Sequence, residues 1–240
     1  MYLPKKESLI FLLFFVLWNE SFASELMTTA SQIKRDKFSG QIYYTKEKNE
    51  INFQVGTNIF SGEKEGRKIV FKFDYGFKTT FYPWIKFGSN LQGYNLFFPS
   101  STATVTNYYR SNYPGWLLGV GARLLLFPET IVNPAISFDF GYTYANTQVD
   151  DFYLGIYEFQ GAILVSKKFD KVHPYGGFRV MLTESELKSK RNREKIKGRK
   201  DNFSLFFGLA SSLFHREKVF FEFALGDEKT FSLGISSELN

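Results

Sequence analysis

Eight charged residues stand inside stretches that are otherwise apolar at alternate positions: Lys72, Asp74, Lys86, Arg123, Asp139, Glu158, Arg179 and Glu222. Four are positive and four negative. An alternating stretch reads as an extended strand whose successive side chains point to opposite sides. Each of these charges falls on the side away from the Phe and Leu residues, so the set is expected on one enclosed surface. Enclosed charges must pair. Two chemistries follow: a structural ion-pair and hydrogen-bond network, or charge rings that tune a narrow polar pathway.

A second group is the basic run Lys188, Lys190, Arg191, Arg193, Lys195, Lys197, Arg199 and Lys200, interrupted by one acid, Glu194. It supplies most of the formal charge of +6. The run reads as a loop from about 185 to 201, either solvated with no dedicated ligand or gripping a polyanion in a salt-sensitive way.

Catalytic constellations are sparse. The two histidines, His173 and His215, fall beside expected turns, where an imidazole is an ordinary solvated group. Glu184 and Glu186 read as solvation of a strand end rather than a carboxylate pair. The chain has no HExxH, no Gly-rich phosphate loop and no cysteine. No residue is therefore assigned a catalytic, metal-binding or cofactor-binding role, and no cofactor is expected.

The elements that must position the charges are strands. Near the end of the chain, Val219, Phe221, Phe223 and Leu225 share one face, 227–230 is a polar turn, and Phe231, Leu233, Ile235 and Leu239 share a face again. This hairpin pattern recurs back to about residue 50. It predicts ten strands, centred on 51–59, 69–77, 85–91, 116–126, 136–144, 152–166, 178–182, 203–209, 219–225 and 231–239. Eight or twelve strands are the alternatives. Aromatic residues reach 19% while mean hydropathy is −0.21, which suits two-faced strands better than uniformly apolar helices.

Residues 1–23 predict a secretory signal peptide, with Lys5 and Lys6, an apolar run at 9–18 and a small-x-small site at Ser21-Phe22-Ala23. Spanning a membrane as a helix takes ~20 apolar residues, so the run is too short to be an anchor. Residues 24–49 are expected to be a periplasmic lead-in, with at most one short strand at 40–46. Residues 50–240 are expected to form the barrel.

Three features favour a membrane barrel over a soluble one. The polar faces are rich in Gly, Ala and Ser, which suit a narrow interior. Connections near 79–83, 127–134, 167–173 and 215–218 look shorter than those near 61–67, 95–114, 146–151 and 185–201. Aromatics fall near both strand ends: Phe77, Phe81, Tyr82, Trp84, Phe127, Tyr175 and Phe220 near the short turns, and Tyr94, Trp116, Tyr142, Tyr144, Tyr153 and Phe203 near the longer ones. The expected fold is all-β, a closed antiparallel up-and-down transmembrane β-barrel.

On this pattern the chain resembles the small outer-membrane β-barrel proteins of Gram-negative bacteria, the OmpA/OmpW-like superfamily, over about residues 50–240. The nearest local echoes are YGFKTTFYPWIKFGSNL at 75–91 and FSLGISSEL at 231–239. The resemblance implies a monomer in the cell outer membrane, in contact with its lipid and lipopolysaccharide and inserted by the outer-membrane assembly machinery. Such barrels usually end in an aromatic residue that this machinery reads, whereas this chain ends Leu239-Asn240. In that compartment the basic run would meet lipopolysaccharide phosphates, and nucleic acid is not a partner. Some such barrels are proteases, phospholipases or lipid A-modifying enzymes, which implies a His, often with Ser or Asp, on the outer side. Here both histidines fall on expected periplasmic turns. The expectation is a structural or surface-interaction barrel whose lumen is plugged by the charged network. The alternatives are a narrow channel for small polar or amphipathic solutes and, last, a lipid-modifying enzyme.

Overall fold

The computed structural model describes residues 35–55, 58–99, 104–110, 113–149, 152–190, 195–212 and 217–239. The signal peptide expected at 1–23 and three residues of interest, Arg191, Arg193 and His215, lie outside them. The described strands are β1 (Phe38–Val55), β2 (Asn58–Tyr75), β3 (Phe81–Pro99), β4 (Thr104–Arg110), β5 (Gly115–Phe127), β6 (Ala135–Val149), β7 (Phe152–Ser166), β8 (Val172–Ser189), β9 (Lys195–Ser212), β10 (Glu217–Gly226) and β11 (Glu228–Leu239). Neighbours pair antiparallel, and β1 pairs with both β11 and β2 while β2 pairs with β3. The sheet therefore closes on itself as a ten-stranded up-and-down barrel, with β4 an outlying strand paired to the far end of β3. Closure pairs every barrel strand on both sides, so backbone groups of the barrel wall are satisfied without water.

Alternation decides which side chain faces where. Ile42, Phe71, Phe87, Val120, Tyr142, Phe159, Val180, Leu205, Phe223 and Ile235 point outward and are exposed, one or more on every barrel strand. Among the largest fully buried side chains are Arg123, Arg179, Lys64, Lys68, Lys72 and Lys86. The interior thus holds charged side chains among buried apolar ones such as Val70, Leu154, Leu164 and Phe206, while the outside is an apolar belt of the kind that marks a membrane or interaction surface.

Small inner residues have a steric reason. The Trp84 ring lies flat along the wall, and a Cβ added at Gly141 would come within 2.3 Å of it. Tyr175 likewise occupies the space over Gly208, where an added Cβ would meet its ring at 2.1 Å. Large inner side chains rest on glycines of the strands beside them: Trp84 of β3 on Gly121 of β5 and Gly141 of β6, and Tyr175 of β8 on Gly208 of β9.

The structure corrects three expectations. First, residues 38–49 are not a lead-in: they begin β1, pairing with β11 from Phe38↔Leu239 to Asn49↔Glu228. The expected strand at 51–59 straddles the β1–β2 connection, and the expected loop at 61–67 lies within β2. In the middle of β1 and the outer half of β2, Lys46, Lys48, Glu65 and Arg67 face outward and Thr45, Glu47, Lys64 and Lys68 inward, so polar residues on both faces hide the alternation, although Phe38 and Ile42 at the start of β1 belong to the apolar belt. Second, most of the expected longer loops are strand extensions. The β1–β2 and β6–β7 pairs run to Val55↔Asn58 and Val149↔Phe152, while 95–99, 104–110, 185–189 and 195–201 are extended. Third, four of the expected belt aromatics, Tyr82, Trp84, Tyr175 and Phe220, point inward and are buried. Phe77, Phe127, Trp116, Tyr142, Tyr153 and Phe203 do face outward.

The outer hairpins differ in height. The β10–β11 hairpin turns at Asp227, whose amide donates to the Phe203 carbonyl and whose carboxylate accepts from the Phe203 amide at 3.0 Å. Gly226 makes this turn with φ 137°, a conformation that glycine adopts without penalty. Beyond the tip, β1 crosses to β9 and pairs with it directly, Asn52↔Arg199, Phe53↔Gly198 and Gln54↔Lys197.

Candidate functional site

All eight sequence-selected charges of the barrel strands are buried inside the wall. They divide among separate groups. The first hugs the wall from β1 to β6. Asp74 accepts from Gln41 Nε2 at 3.0 Å and pairs with Arg123 Nη2 at 3.2 Å and Lys72 Nζ at 3.6 Å. Arg123 Nε pairs onward with Asp139 at 3.4 Å, and the Trp84 indole donates to the same carboxylate at 3.2 Å. The ammonium groups of Lys72 and Lys86 lie 4.8 Å and 5.6 Å from the Trp84 ring centre, within cation–π range. These contacts join neighbouring strands and strands one apart along this side of the wall.

The second group crosses the lumen. Lys64 and Lys68 stand on β2 and Glu47 on β1, while Glu158 reaches from β7, five strands round the ring from β1 in either direction. Lys64 Nζ lies 3.0 Å from Glu47 and 3.1 Å from Glu158; Lys68 Nζ lies 3.0 Å and 3.4 Å from the same two. Two ammonium and two carboxylate groups form a neutral box, with each side chain no more than 3% exposed. Sequence reasoning selected Glu158 alone. The other three lie in segments assigned to the lead-in and to a loop, and spacing of two or four residues on one face (Lys64, Lys68, Lys72) was the signal available.

A third contact lies lower on β8 and β10, where the Tyr175 hydroxyl donates to Glu222 at 3.0 Å. Arg179 is buried on the same strand as Tyr175. Between these groups the side-chain polar atoms of Asn90, Thr183, Ser185 and Asn202 are buried without a protein hydrogen-bond partner.

The basic run is a hairpin more than a loop: Lys188 is the penultimate residue of β8, which ends at Ser189, while Lys195, Lys197, Arg199 and Lys200 belong to β9. Alternation sends Lys195, Lys197 and Arg199 to the outer face and turns Lys200 the other way. Glu186, opposite Lys197 across the hairpin, pairs with Lys195 at 3.1 Å and Lys188 at 3.3 Å. Burial raises the Glu186 pKa, but hydrogen bonds from those two lysines outweigh it and hold the carboxyl below its ordinary value. Lys190 lies 5.3 Å from the Tyr153 ring centre. Glu184 faces outward opposite Arg199 and, unlike Glu186, makes no ion pair among the described residues.

His173 is not on a solvated turn. It is the second residue of β8, its ring is turned into the barrel, and it is 4% exposed. Its Nε2 has no hydrogen-bond partner among the described residues. It sits at the end of the barrel away from the tall hairpins. Among the described residues no cluster of three or more His, Asp or Glu could hold a metal ion.

No protein-family model matches the chain, and no curated protein matches its sequence. Among solved structures it is similar to the outer membrane protease OmpT from Escherichia coli, with 9% identity and a TM-score of 0.52 over 92% of this chain and 99% of that one. It is also similar to the outer membrane protein OprG from Pseudomonas aeruginosa, with 7% identity and a TM-score of 0.48 over 89% and 100% of the two chains. The translocator domain of the autotransporter NalP from Neisseria meningitidis gives 8% identity and a TM-score of 0.46 over 86% and 90%. At such identities the likeness is one of fold alone, and the first of these three carries it.

Proposed function

We propose that this small outer-membrane β-barrel is a non-conducting scaffold that plugs its own lumen and holds a rigid charged surface above the membrane. The observation that supports a plug is the Glu47–Lys64–Lys68–Glu158 box, which joins opposite walls at hydrogen-bond distance. An ion entering there would have to break contacts between fully buried charges, whose separation is costly. The tall β1–β2 and β8–β9 hairpins, with Lys46, Lys48, Glu65, Arg67, Lys195, Lys197 and Arg199 outward among the described residues, supply the surface. Export by a signal peptide at 1–23, insertion by the outer-membrane assembly machinery and residence as a monomer belong to the same proposal. Pairing of each barrel strand on both sides, which leaves the outlying β4 as the strand with an unpaired side among the described residues, supports the last of these.

Planar-bilayer recording tests it. The wild-type protein is expected to give no single-channel steps at any voltage, and regular steps would overturn the plug.

The second reading is a narrow channel for small polar or amphipathic solutes. The observation in its favour is the buried, unpartnered polar lining at Asn90, Thr183, Ser185 and Asn202, where water would be held. The same recording separates the two. We propose no enzymatic role: the described histidine faces the lumen at the end away from the tall hairpins. Unchanged lipid A composition after His173→Ala and His215→Ala together is the expected result.

A further inference from the structure

Where β1 crosses over the short β10–β11 hairpin to reach β9, the outer surface of the barrel is indented. The resulting cavity, about 820 Å³, is lined by Asn52, Tyr157, Glu184, Lys197, Arg199 and Asp201, and also by Ser185, Glu186, Gly198 and Lys200, with the Glu186 carboxylate already engaged by Lys188 and Lys195. The first six come from β1, β7, β8 and β9, and strand alternation aims their side chains away from the lumen. They stand in register: Tyr157 is opposite Glu184, Glu184 opposite Arg199, and Arg199 opposite Asn52.

The height of the cavity is as informative as its contents. Two residues closer to the membrane on the same outward face stand Phe159 on β7 and Leu182 on β8, 54% and 40% exposed and level with Asp201 of β9, and the next outward residue of β9 is Phe203, 49% exposed. Two residues along a strand is ~7 Å. The indentation therefore opens at the upper border of the apolar belt, where a lipid changes from acyl chain to headgroup.

The charges are arranged to take a ligand. Lys188 and Lys195, nearer the hairpin tip, are already held by Glu186. Among the described residues Lys197 and Glu184 make no ion pair, and the Arg199–Asp201 contact at 3.4 Å uses Nε alone, on side chains 67% and 60% exposed. Lys197 and Arg199 thus present an ammonium and the two terminal guanidinium nitrogens to an anion, while Glu184, Asn52 and the Tyr157 hydroxyl suit sugar hydroxyls.

We propose that this cavity binds the phosphorylated sugar headgroup of an outer-leaflet glycolipid. Lys197 and Arg199 take the phosphate, Glu184 and Asn52 take hydroxyls, and the acyl chains lie along Phe159, Leu182 and Phe203. The site rests on the reading that the apolar belt faces lipid, and does not depend on whether the lumen conducts.

The test uses the full mature chain in phosphatidylcholine nanodiscs containing a small fraction of lipid A, with retained lipid read by native mass spectrometry. Wild type is expected to retain lipid A. Lys197→Gln with Arg199→Gln is expected to lower its apparent affinity at least tenfold while the unboiled protein keeps its compact electrophoretic mobility. Lipid A stripped of its phosphates is expected to lose the preference, and 10 mM inorganic phosphate is expected not to compete, because the acyl contacts are absent. The hairpin-tip pair Lys188→Gln with Lys190→Gln is expected to change little. If the tip pair weakens binding as much as the cavity pair, attraction is diffuse and the cavity assignment fails. Insertion without any lipid A preference also overturns the site but leaves the membrane barrel standing. Failure of the protein to enter nanodiscs at all removes both.

Discussion

Glu158 on β7 and Lys64 on β2 are 94 residues apart in sequence and meet at 3.1 Å across the lumen. Neither strand touches the other in the sheet, so the contact fixes the cross-section of the barrel and not merely its wall. Lys68 and Glu47 complete the box, and each charge in it has two partners of opposite sign. A ten-stranded barrel is wide enough that inner side chains must be long to meet. Lys and Glu are long enough, and their pairing offsets the cost of enclosing them.

Removing one member should therefore cost more than removing all four. Glu158→Gln leaves two lysines sharing one carboxylate and is expected to destabilise the barrel by about 3 kcal/mol. Replacing Glu47, Lys64, Lys68 and Glu158 together by Leu, Met, Met and Leu is expected to be about neutral. Urea unfolding in lipid vesicles, followed by the loss of compact gel mobility, measures both. Equal effects would contradict the box.

Trp84 depends on the glycine beneath it. Gly141→Ala places a methyl group where the indole lies, so the ring must leave, losing its bond to Asp139. The expected cost is about 1–3 kcal/mol, as for other overpacked sites. In a Trp116→Phe background Trp84 is the remaining tryptophan of the described barrel. Its emission should shift to the red and become open to quenching by acrylamide from the lumen side.

The belt should reject charge at mid-height and accept it at the border. Leu205 faces Phe178 across β8–β9, midway along the outward apolar run on both strands. Leu205→Arg is expected to cost about 2–4 kcal/mol in a bilayer, against about 0–1 kcal/mol for Gln148→Arg near the outer interface. Equal costs from unfolding in vesicles would mean that lipid does not cover this surface.

Residues 40–46 are structural. They pair on one side with β2 and on the other with β11, so their deletion opens the cylinder and exposes two edges. The deletion variant is expected to lose the heat-modifiable compact band entirely. A lead-in segment could be removed with that band intact.

The sequence alone determined the fold class, the number of barrel strands and the inward placement of eight charges. It could do so because lipid outside and a polar lumen inside impose opposite demands on successive residues, and a period of two is visible without any partner. The period vanishes where both faces are polar. There Lys46 and Lys48 face water while Thr45 and Glu47 face the lumen, so the middle of β1 and the outer half of β2 read as unpatterned. Tertiary structure alone decided which inner charge meets which. It brought Glu158 to Lys64 because closing the ring sets β7 opposite β1 and β2. It also left the β10–β11 hairpin shorter than its neighbours, so that β1 had to cross to β9. Pairing across a closed cylinder depends on circumference and stagger, and these are properties of all the strands together, written in no single one of them.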